Sequence, residues 1–126
     1  MIFLSIHDII EFQGKTIDKH GGEHGVRDIT LLQSAVASAL ATFDGEDLFP
    51  TMIEKAARLG YGIVSYHPFI DGNKRIGVWV MLATLRLNNI IITYTKDELV
   101  SFGLGIASGS LQYEDILDWI KFHLSN

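Results

Sequence analysis

Apolar residues recur along the chain at intervals of three and four residues, the spacing that places them on one face of a helix. Polar residues fill the positions between them, and turns containing glycine or proline separate one apolar series from the next. The series are Ile6, Ile9, Ile10 and Ile17; Ile29, Leu32, Val36 and Leu40; Ile53, Ala56, Ala57, Leu59 and Val64; and Ile116, Leu117, Ile120 and Leu124. The pattern therefore predicts amphipathic helices joined by short turns.

Residues typical of helix starts precede several of these series. Ser5 with Asp8, and Thr95 with Glu98, have the spacing of a capping box, and Asp28 can cap the second helix. The same caps supply acceptors for backbone N–H groups that have no partner inside the helix. They predict starts for the first, second and fifth helices.

Glycine and proline indicate where other boundaries lie. The first helix is expected to stop at Gly21, and the second near Thr42. Pro50 suits the first turn of the third helix. Pro68 ends that helix, because the residue before a proline is pushed out of helical geometry. The last helix is expected over residues 111–124.

The fourth helix, from about Asn73 to Asn88, is predicted to lie at the centre of the fold. Beyond its first turn it is apolar on every side, and Trp79 is expected in the core. The β-branched run 90–95 that follows is expected to be extended. We therefore predict an all-α fold, with residues 1–126 forming one domain: a compact bundle of about six helices around a buried central helix.

Size, charge and composition exclude several classes of function. A chain of 126 residues forms one domain, and the lack of cysteine excludes disulfides and thiolate metal sites, as in a reducing cytoplasm. A formal charge of −5, with no basic cluster beyond one adjacent pair, argues against direct binding of nucleic acid. The longest apolar run, residues 76–85, is about half of the roughly twenty residues that cross a bilayer. The N-terminus also lacks the features of a secretory signal. A cytoplasmic location without a membrane anchor is expected.

The candidate chemistry lies in the segment His67–Arg75, HPFIDGNKR. A turn containing Gly72 leads into the fourth helix, where the backbone N–H groups of Asn73 and the next residues lack partners within the helix. These donors, together with the positive end of the helix dipole, favour a phosphate group. Lys74 and Arg75 add two cations to a turn where each is unfavourable by about 0.3–1 kcal/mol unless an anion binds. The segment therefore predicts a phosphate or nucleotide site.

The other residues of the segment suit transfer of a phosphate-containing group. Asp71 is a hard carboxylate that can hold Mg²⁺ against phosphate oxygens, and His67 can accept a proton from an attacking hydroxyl at neutral pH. Arg75 would clamp phosphate oxygens as charge builds up, and Phe69 would anchor the loop by burying its ring. Each feature alone also has a purely structural explanation. A helical binding module whose motif only holds a structural anion is therefore an alternative.

The segment HPFIDGNKR resembles the signature of the Fic/Doc family, in which a His, a Phe, an acidic residue, a Gly-Asn pair and an Arg recur at these spacings. The resemblance covers most of the chain. The segments GGEHGVRDITLLQSAVA, ATFDGEDLFPTMIEKAARLGYGIVSYHPFIDGNKR and IASG are similar to the death-on-curing branch of that family. The resemblance implies a compact all-α fold, ATP with Mg²⁺, and transfer to a hydroxyl group of a protein.

Two departures from the family pattern bear on which group is transferred. Family members that transfer AMP usually have Gly after the Asn and a second Arg three residues beyond the first, where this chain has Lys74 and Val78. The death-on-curing branch shares the Lys and is understood to present the γ-phosphate of ATP. The resemblance therefore implies a protein kinase acting on a threonine of elongation factor Tu and blocking translation. AMP transfer is the alternative.

The resemblance also bears on regulation. Self-inhibited family members carry a helix with Ser or Thr, three residues, then Glu followed by Gly or Asn. The segments 42–46 and 110–114 come near, but Asp follows the Glu in both. The resemblance therefore implies a toxin whose antitoxin, a separate protein, inhibits it.

A second motif has the residue order of a zinc protease. The segment His20–His24 reads H-G-G-E-H, but a zinc site of that kind needs both histidines on one helical face. Two central glycines favour a turn instead. Arg27 is expected to have a surface partner and no role in the site.

Overall fold

A computed structural model describes residues 2–125 of the chain. In this part of the chain the structure has six helices and one hairpin of two very short strands. The helices are α1 (Ile6–His20), α2 (Ile29–Ala39), α3 (Met52–Tyr66), α4 (Asn73–Leu87), α5 (Lys96–Ser108) and α6 (Tyr113–Phe122). The antiparallel strands β1 (Thr42–Phe43) and β2 (Glu46–Asp47) lie between α2 and α3. The all-α prediction is confirmed, and the hairpin lies where the sequence predicts only a helix end and a loop.

The predicted caps are present at the starts of three helices. Ser5 and Asp8 exchange hydrogen bonds at the start of α1, and Thr95 and Glu98 do so at the start of α5. Asp28 accepts a hydrogen bond from a backbone N–H in the first turn of α2. Short-range side-chain chemistry therefore sets these three starts.

Two predicted boundaries are wrong by a few residues. Thr51 is the N-cap of α3, where it forms a capping box with Glu54, so Pro50 precedes the cap and does not lie in the first turn. Helix α6 ends at Phe122, and Leu124 lies beyond it in an isolated bridge with Ile92. Within the run 90–95, which was expected to be extended, Ile92 alone takes part in a bridge, and the run forms no regular strand.

Helices α3 and α4 share the centre of the bundle, and their backbones approach each other closely. A Cβ atom added to Gly77 would lie 2.4 Å from Val64 Cγ2 and 2.8 Å from the Gly60 carbonyl oxygen. One cluster of buried side chains lies where α3 and α4 face α1 and α2, and the other where they face α5 and α6. The prediction of a buried central helix is confirmed, with α3 as its partner.

Two predictions about buried faces need correction. Trp79 is 39% exposed rather than part of the core, because α4 has one side that the other helices leave uncovered. Ile29 and Leu40 are exposed as well, and the buried face of α2 consists of Leu32, Ala35 and Ala39. Alanine faces α3 there because the helices are close: a Cβ on Gly62 of α3 would lie 3.1 Å from the Ala35 Cβ.

The described helices were also compared with the dimensions of a bilayer. Within residues 2–125, none combines the length and the apolar character that crossing a membrane requires.

Candidate active site

A cavity of about 450 Å³ lies where the loop after α3 enters α4. The last turns of α1 form its opposite wall. The cavity is lined by Thr16, Ile17, Gly21, His67, Ile70, Asp71, Gly72, Asn73, Lys74 and Arg75. The structure thus brings six of the seven predicted site residues to one cavity, and places the seventh, Phe69, underneath it with no exposed surface.

The start of α4 carries no side-chain cap. Gly72 is the N-cap residue and has a left-handed conformation, with φ of 81°, which glycine adopts without strain. The first intrahelical hydrogen bond runs from the Ile76 N–H to the Gly72 carbonyl at 2.8 Å. The N–H groups of residues 73–75 precede that bond, so they have no partner within the helix. This end of α4 therefore offers several backbone donors to an anion in the cavity.

Two exposed cations stand beside these donors. Lys74 and Arg75 line the cavity, and within residues 2–125 neither forms an ion pair with a carboxylate. The aliphatic part of Lys74 lies over α5, where a Cβ on Gly103 would be 3.7 Å from Lys74 Cγ. Both charges, together with the dipole of α4, make the cavity mouth electropositive although the chain as a whole is acidic.

His67 ends α3 in a left-handed conformation that is unusual for a residue with a side chain. Its φ and ψ angles are 54° and 55°, and Pro68 follows it. Such a conformation costs about 1–2 kcal/mol outside glycine. The His67 N–H donates to the Ile63 carbonyl at 3.3 Å, which closes the last turn of the helix. The strain is stored at the residue that carries the predicted general base.

The hydrogen bond of the His67 ring decides which of its nitrogens can act as a base. Nδ1 lies 3.1 Å from the Ser65 carbonyl oxygen. A carbonyl oxygen only accepts hydrogen bonds, so the neutral ring carries its proton on Nδ1. Nε2 then keeps a free lone pair and can accept a proton from a hydroxyl group.

Asn73 fixes the loop by binding both backbone groups of Phe69. The Phe69 N–H donates to Asn73 Oδ1 at 2.9 Å, and Asn73 Nδ2 donates to the Phe69 carbonyl at 2.9 Å. The Asn73 side chain is therefore occupied within the loop. The predicted contact between Asn73 and a phosphate group would therefore come from the Asn73 backbone N–H.

Asp71 is held at the cavity by the loop that follows α1. Its Oδ2 accepts the Glu23 N–H at 3.1 Å, and its carbonyl oxygen accepts Gln13 Nε2 at 3.3 Å. Gly22 permits this approach, because a Cβ there would lie 3.2 Å from Asp71 Oδ2 and its φ is 112°. Within residues 2–125, Oδ1 makes no hydrogen bond. One free carboxylate oxygen fits Mg²⁺, which proteins commonly hold through one or two carboxylates together with substrate phosphates.

Two residues support the site from outside the segment 67–75: Gln13, for which no role was predicted from the sequence, and Arg27, which was expected to have a surface partner and no role in the site. Gln13 is 2% exposed, in the middle of the apolar face of α1, and its amide binds Asp71 and the backbone of residues 23 and 25. Arg27 donates to the backbone carbonyls of Tyr66 and His67. A polar residue within an apolar series is the signal that could have identified Gln13. Nothing in the sequence pattern identifies the partner of Arg27.

The two histidines of the zinc-protease motif do not lie on one helical face, because α1 ends at the first of them. His20 is the last residue of α1, and the next residues form a turn in which His24 Nε2 lies 2.7 Å from Asp18 Oδ1. No group of three or more metal-ligating side chains is brought together in the described part of the chain. The prediction of a turn is confirmed.

A second cavity of about 430 Å³ lies on the uncovered side of α4, and we call it the apolar groove. The groove is lined by Phe12, Trp79, Leu82, Ala83, Arg86, Asn89, Ile90, Ile91, Ile92 and Tyr94. The exposure of Trp79 is therefore part of a concave apolar surface, separate from the phosphate cavity.

Comparison with known proteins relates the chain to one family. Residues 3–85, which include all seven predicted site residues, match the sequence profile described as Fic/DOC family. The chain is 40% identical over 70 residues to a protein named Toxin Doc from Mycolicibacterium smegmatis. The aligned part covers 56% of this chain and 54% of that protein, so the chain matches about half the length of this relative.

Proposed function

The chain belongs to the Fic/DOC family, and from that premise we propose that it transfers the γ-phosphate of ATP to a hydroxyl group of a protein. One observation carries the proposal. The uncapped start of α4, with Lys74 and Arg75 in its first turn, opens into the same cavity as His67. Donors for phosphate oxygens and a nitrogen base for the attacking hydroxyl are therefore available together.

In the proposed reaction, each side chain has one task. The acceptor hydroxyl oxygen attacks the γ-phosphorus, and the bond from that phosphorus to the bridging oxygen of ADP breaks. His67 Nε2 takes the hydroxyl proton. The backbone N–H groups of residues 73–75 and the Arg75 guanidinium hold the phosphate oxygens as negative charge shifts among them. Asp71 would hold Mg²⁺, which supplies charge neutralisation when bound.

Lys74 favours γ-phosphate transfer over AMP transfer. Its side chain occupies the place next to Asn73 where AMP-transferring relatives have a glycine, and Val78 removes the second arginine of those relatives. A long cation there shortens the space for a phosphate tail, which supports binding of ATP in the orientation that presents its γ-phosphate to the acceptor. AMP transfer remains the second candidate, because the same base and the same anion site would serve it.

Labelled ATP distinguishes these reactions. The chain is incubated with Mg²⁺, translation factors and ATP carrying the label on either the γ- or the α-phosphate. We expect the γ-label on an acceptor protein, with no transfer by His67→Ala. Transfer of the α-label would establish the AMP alternative. Absence of both labels across the tested proteins, with folded chain, would leave only the binding-module hypothesis.

Lys74→Gly tests the orientation argument within the same assay. The variant removes the cation next to the anion site while leaving His67, Asp71 and Arg75 in place. We expect a lower yield of γ-label and a gain of α-label. An unchanged product would show that Lys74 does not set the orientation. Lys96→Gly is not a suitable control because Lys96 begins α5. Lys15→Ala is the matched removal of an exposed cation, because Lys15 is exposed on α1 and does not line the phosphate cavity.

The proposed acceptor is a threonine of elongation factor Tu, and the proposed consequence is arrested translation. The similarity to a protein named Toxin Doc supports a toxin role. Expression of the chain alone should slow growth, whereas the His67→Ala variant should not. Normal growth in the presence of soluble, active enzyme would contradict the toxin proposal.

An antitoxin acting in trans is the proposed regulator. The two near-matches to a self-inhibitory helix do not form one: residues 42–46 form the hairpin, and Ser110 lies before α6, which begins at Tyr113. Within residues 2–125, no glutamate lines the phosphate cavity. Inhibition would then need a second protein, and the apolar groove beside the cavity offers it a surface. Co-purification of the chain with a candidate antitoxin tests this proposal: a complex without transfer activity would support it, and full transfer activity of the chain in that complex would contradict it.

A further inference from the structure

The Arg27 side chain is joined to the backbone of the residue proposed as the base. Its Nε donates to the His67 carbonyl oxygen at 2.8 Å, and a terminal nitrogen donates to the Tyr66 carbonyl oxygen at 3.1 Å. The planar guanidinium therefore binds two successive carbonyls at the C-terminal end of α3. A cation at this end of a helix also opposes the negative end of the helix dipole.

These contacts act on the torsion angle that places the imidazole. The orientation of the His67 carbonyl is set by the ψ angle of His67, which is 55° in a left-handed conformation that the following proline disfavours. A donor fixed against that carbonyl opposes its rotation. The ring follows the backbone, because its Nδ1 hydrogen bond to Ser65 forms only in this turn.

The surroundings of Arg27 separate this role from general stabilisation. The side chain is exposed, so its replacement opens no cavity in the core. The backbone N–H groups of Arg27 and Asp28 both donate to the Pro68 carbonyl, at 2.7 and 3.0 Å, and Val26 pairs with Phe69. The two segments therefore stay attached when only the guanidinium is removed.

We propose that Arg27 is a positioning residue for His67. Its guanidinium, bound to the Tyr66 and His67 carbonyls, holds the left-handed turn that presents the imidazole to the cavity. The inference rests on the proposed function, in which His67 is the base. It predicts that loss of the guanidinium changes the reaction rate and the state of the imidazole while nucleotide binding persists.

Two substitutions and two measurements test the proposal. In Arg27→Gln, kcat for transfer should fall about 100-fold, the effect of a misplaced catalytic group. The KM for ATP should stay within about twofold, because in the described part of the chain the Arg27 side chain donates to the Tyr66 and His67 carbonyls and makes no hydrogen bond to residues 73–75. Arg27→Lys keeps the charge but loses the planar fork, and should lose on the order of tenfold in kcat.

The second measurement follows the His67 imidazole directly, by ¹⁵N NMR of the ring nitrogens. In the wild-type chain we expect one tautomer, with the proton on Nδ1. In Arg27→Gln we expect a mixture of tautomers, because the Ser65 hydrogen bond is no longer enforced. Arg58→Gln is the matched control: Arg58 donates to the Tyr66 hydroxyl at 2.8 Å rather than to a backbone carbonyl. It should retain the wild-type kcat and ring spectrum.

The outcomes separate failure of this inference from failure of the proposed function. A wild-type kcat in Arg27→Gln would overturn the positioning role, and so would a loss of kcat without any change in the His67 ring. If the wild-type chain transfers nothing while the ring signals still change in Arg27→Gln, the proposed function fails and the positioning role stands.

Discussion

At the scale of single residues, His67 carries a conformation that suits glycine better. Two substitutions separate the strain of this conformation from the chemistry of the ring. His67→Ala removes the imidazole and keeps the strain, whereas His67→Gly removes both. We expect His67→Gly to have a higher free energy of unfolding than His67→Ala by about 1 kcal/mol, measured by urea denaturation. Neither variant should catalyse transfer.

The stabilities of His67→Ala and His67→Gly also test whether the left-handed turn is present in solution. The two variants differ only in the Cβ atom, so a higher stability of His67→Ala would mean that the left-handed turn does not exist in solution. Transfer activity in either variant would remove His67 as the base.

The site residues were accessible to sequence analysis to different degrees. Those of the segment 67–75 are contiguous, so a turn and a helix start are enough to bring them together. Arg27 lies 40 positions from His67, and Gln13 lies 58 positions from Asp71. Their contacts depend on how α1 and α2 pack on α3 and α4, which single-sequence patterns do not encode. The residues that hold the site were therefore missed, as were the cavity-lining residues that α1 contributes, whereas six lining residues of the segment 67–75 were predicted.

At the scale of helices, the crossing of α3 and α4 depends on two glycines that face each other. Ala normally stabilises a helix relative to Gly by about 1 kcal/mol. At Gly77 the change to Ala should instead destabilise the chain, because a Cβ would lie 2.4 Å from Val64 Cγ2 and 2.8 Å from the Gly60 carbonyl oxygen. We expect Gly77→Ala to lower the free energy of unfolding by about 1–3 kcal/mol, as overpacked cores do. Chemical denaturation measures this change.

Gly14 in α1 provides the matched control. A Cβ there would meet only the His24 ring, with Nδ1 at 3.6 Å and Cε1 at 3.9 Å, which are ordinary contact distances. Gly14→Ala should therefore leave the chain at least as stable as the wild type. Equal effects of the two substitutions would show that the α3–α4 crossing is looser than described.

The starts of α1 and α5 were predicted from their capping boxes, whereas the α3 start was missed although Thr51 and Glu54 have the same spacing. The capping boxes of α1 and α5 need only residues three positions apart, which a sequence displays directly. The buried face of α2 depends instead on the small residues Gly62 and Ala35, which let α2 and α3 approach. Hydrophobicity alone predicted that Ile29 and Leu40 belong to the buried face of α2, but both are exposed.

At the scale of the whole molecule, His123 links the last two helices. Its Nε2 lies 2.7 Å from Glu98 Oε2 at the start of α5, and its Nδ1 lies 2.7 Å from the Trp119 carbonyl of α6. Burial opposes a charge on the ring, but the hydrogen bonds to Glu98 and to Trp119 outweigh it and raise the pKa of His123. The hydrogen bond from His123, followed by those of Thr95, lowers the pKa of Glu98.

These shifts define a pH window for stability. The raised pKa of His123 gives stabilisation that is complete below the ordinary value of 6.5 and is lost as the pH rises through the raised pKa. The lowered pKa of Glu98 gives stabilisation that is complete above 4.5 and is lost as the pH falls through the lowered pKa. The excess stability of the wild type over His123→Gln should therefore be greatest between pH 4.5 and 6.5.

Urea denaturation of both proteins across and beyond this window provides the measurement. His7→Gln is the control, because His7 and Glu11 form an exposed pair within α1, and such pairs contribute little. A difference between wild type and His123→Gln that grows above pH 6.5 would contradict the assigned direction.

The fold as a whole follows from the helical spacing of apolar residues, which explains why its class was predicted from the sequence. The uncovered side of α4 was not predicted, because Trp79 is apolar and lies in an apolar run. It is exposed only because of how the neighbouring helices are arranged. The same arrangement leaves the start of α4 open to the cavity. We propose that this open helix end binds the phosphates of ATP beside His67.

Titration of ¹⁵N-labelled chain with ATP and Mg²⁺, followed through the backbone amide signals, tests this binding. Hydrogen bonding to phosphate should shift the N–H signals of residues 73–75 most strongly, and Arg75→Ala should weaken the shifts without changing their location. Shifts confined to the apolar groove, or no saturable shifts at the start of α4, would contradict the account.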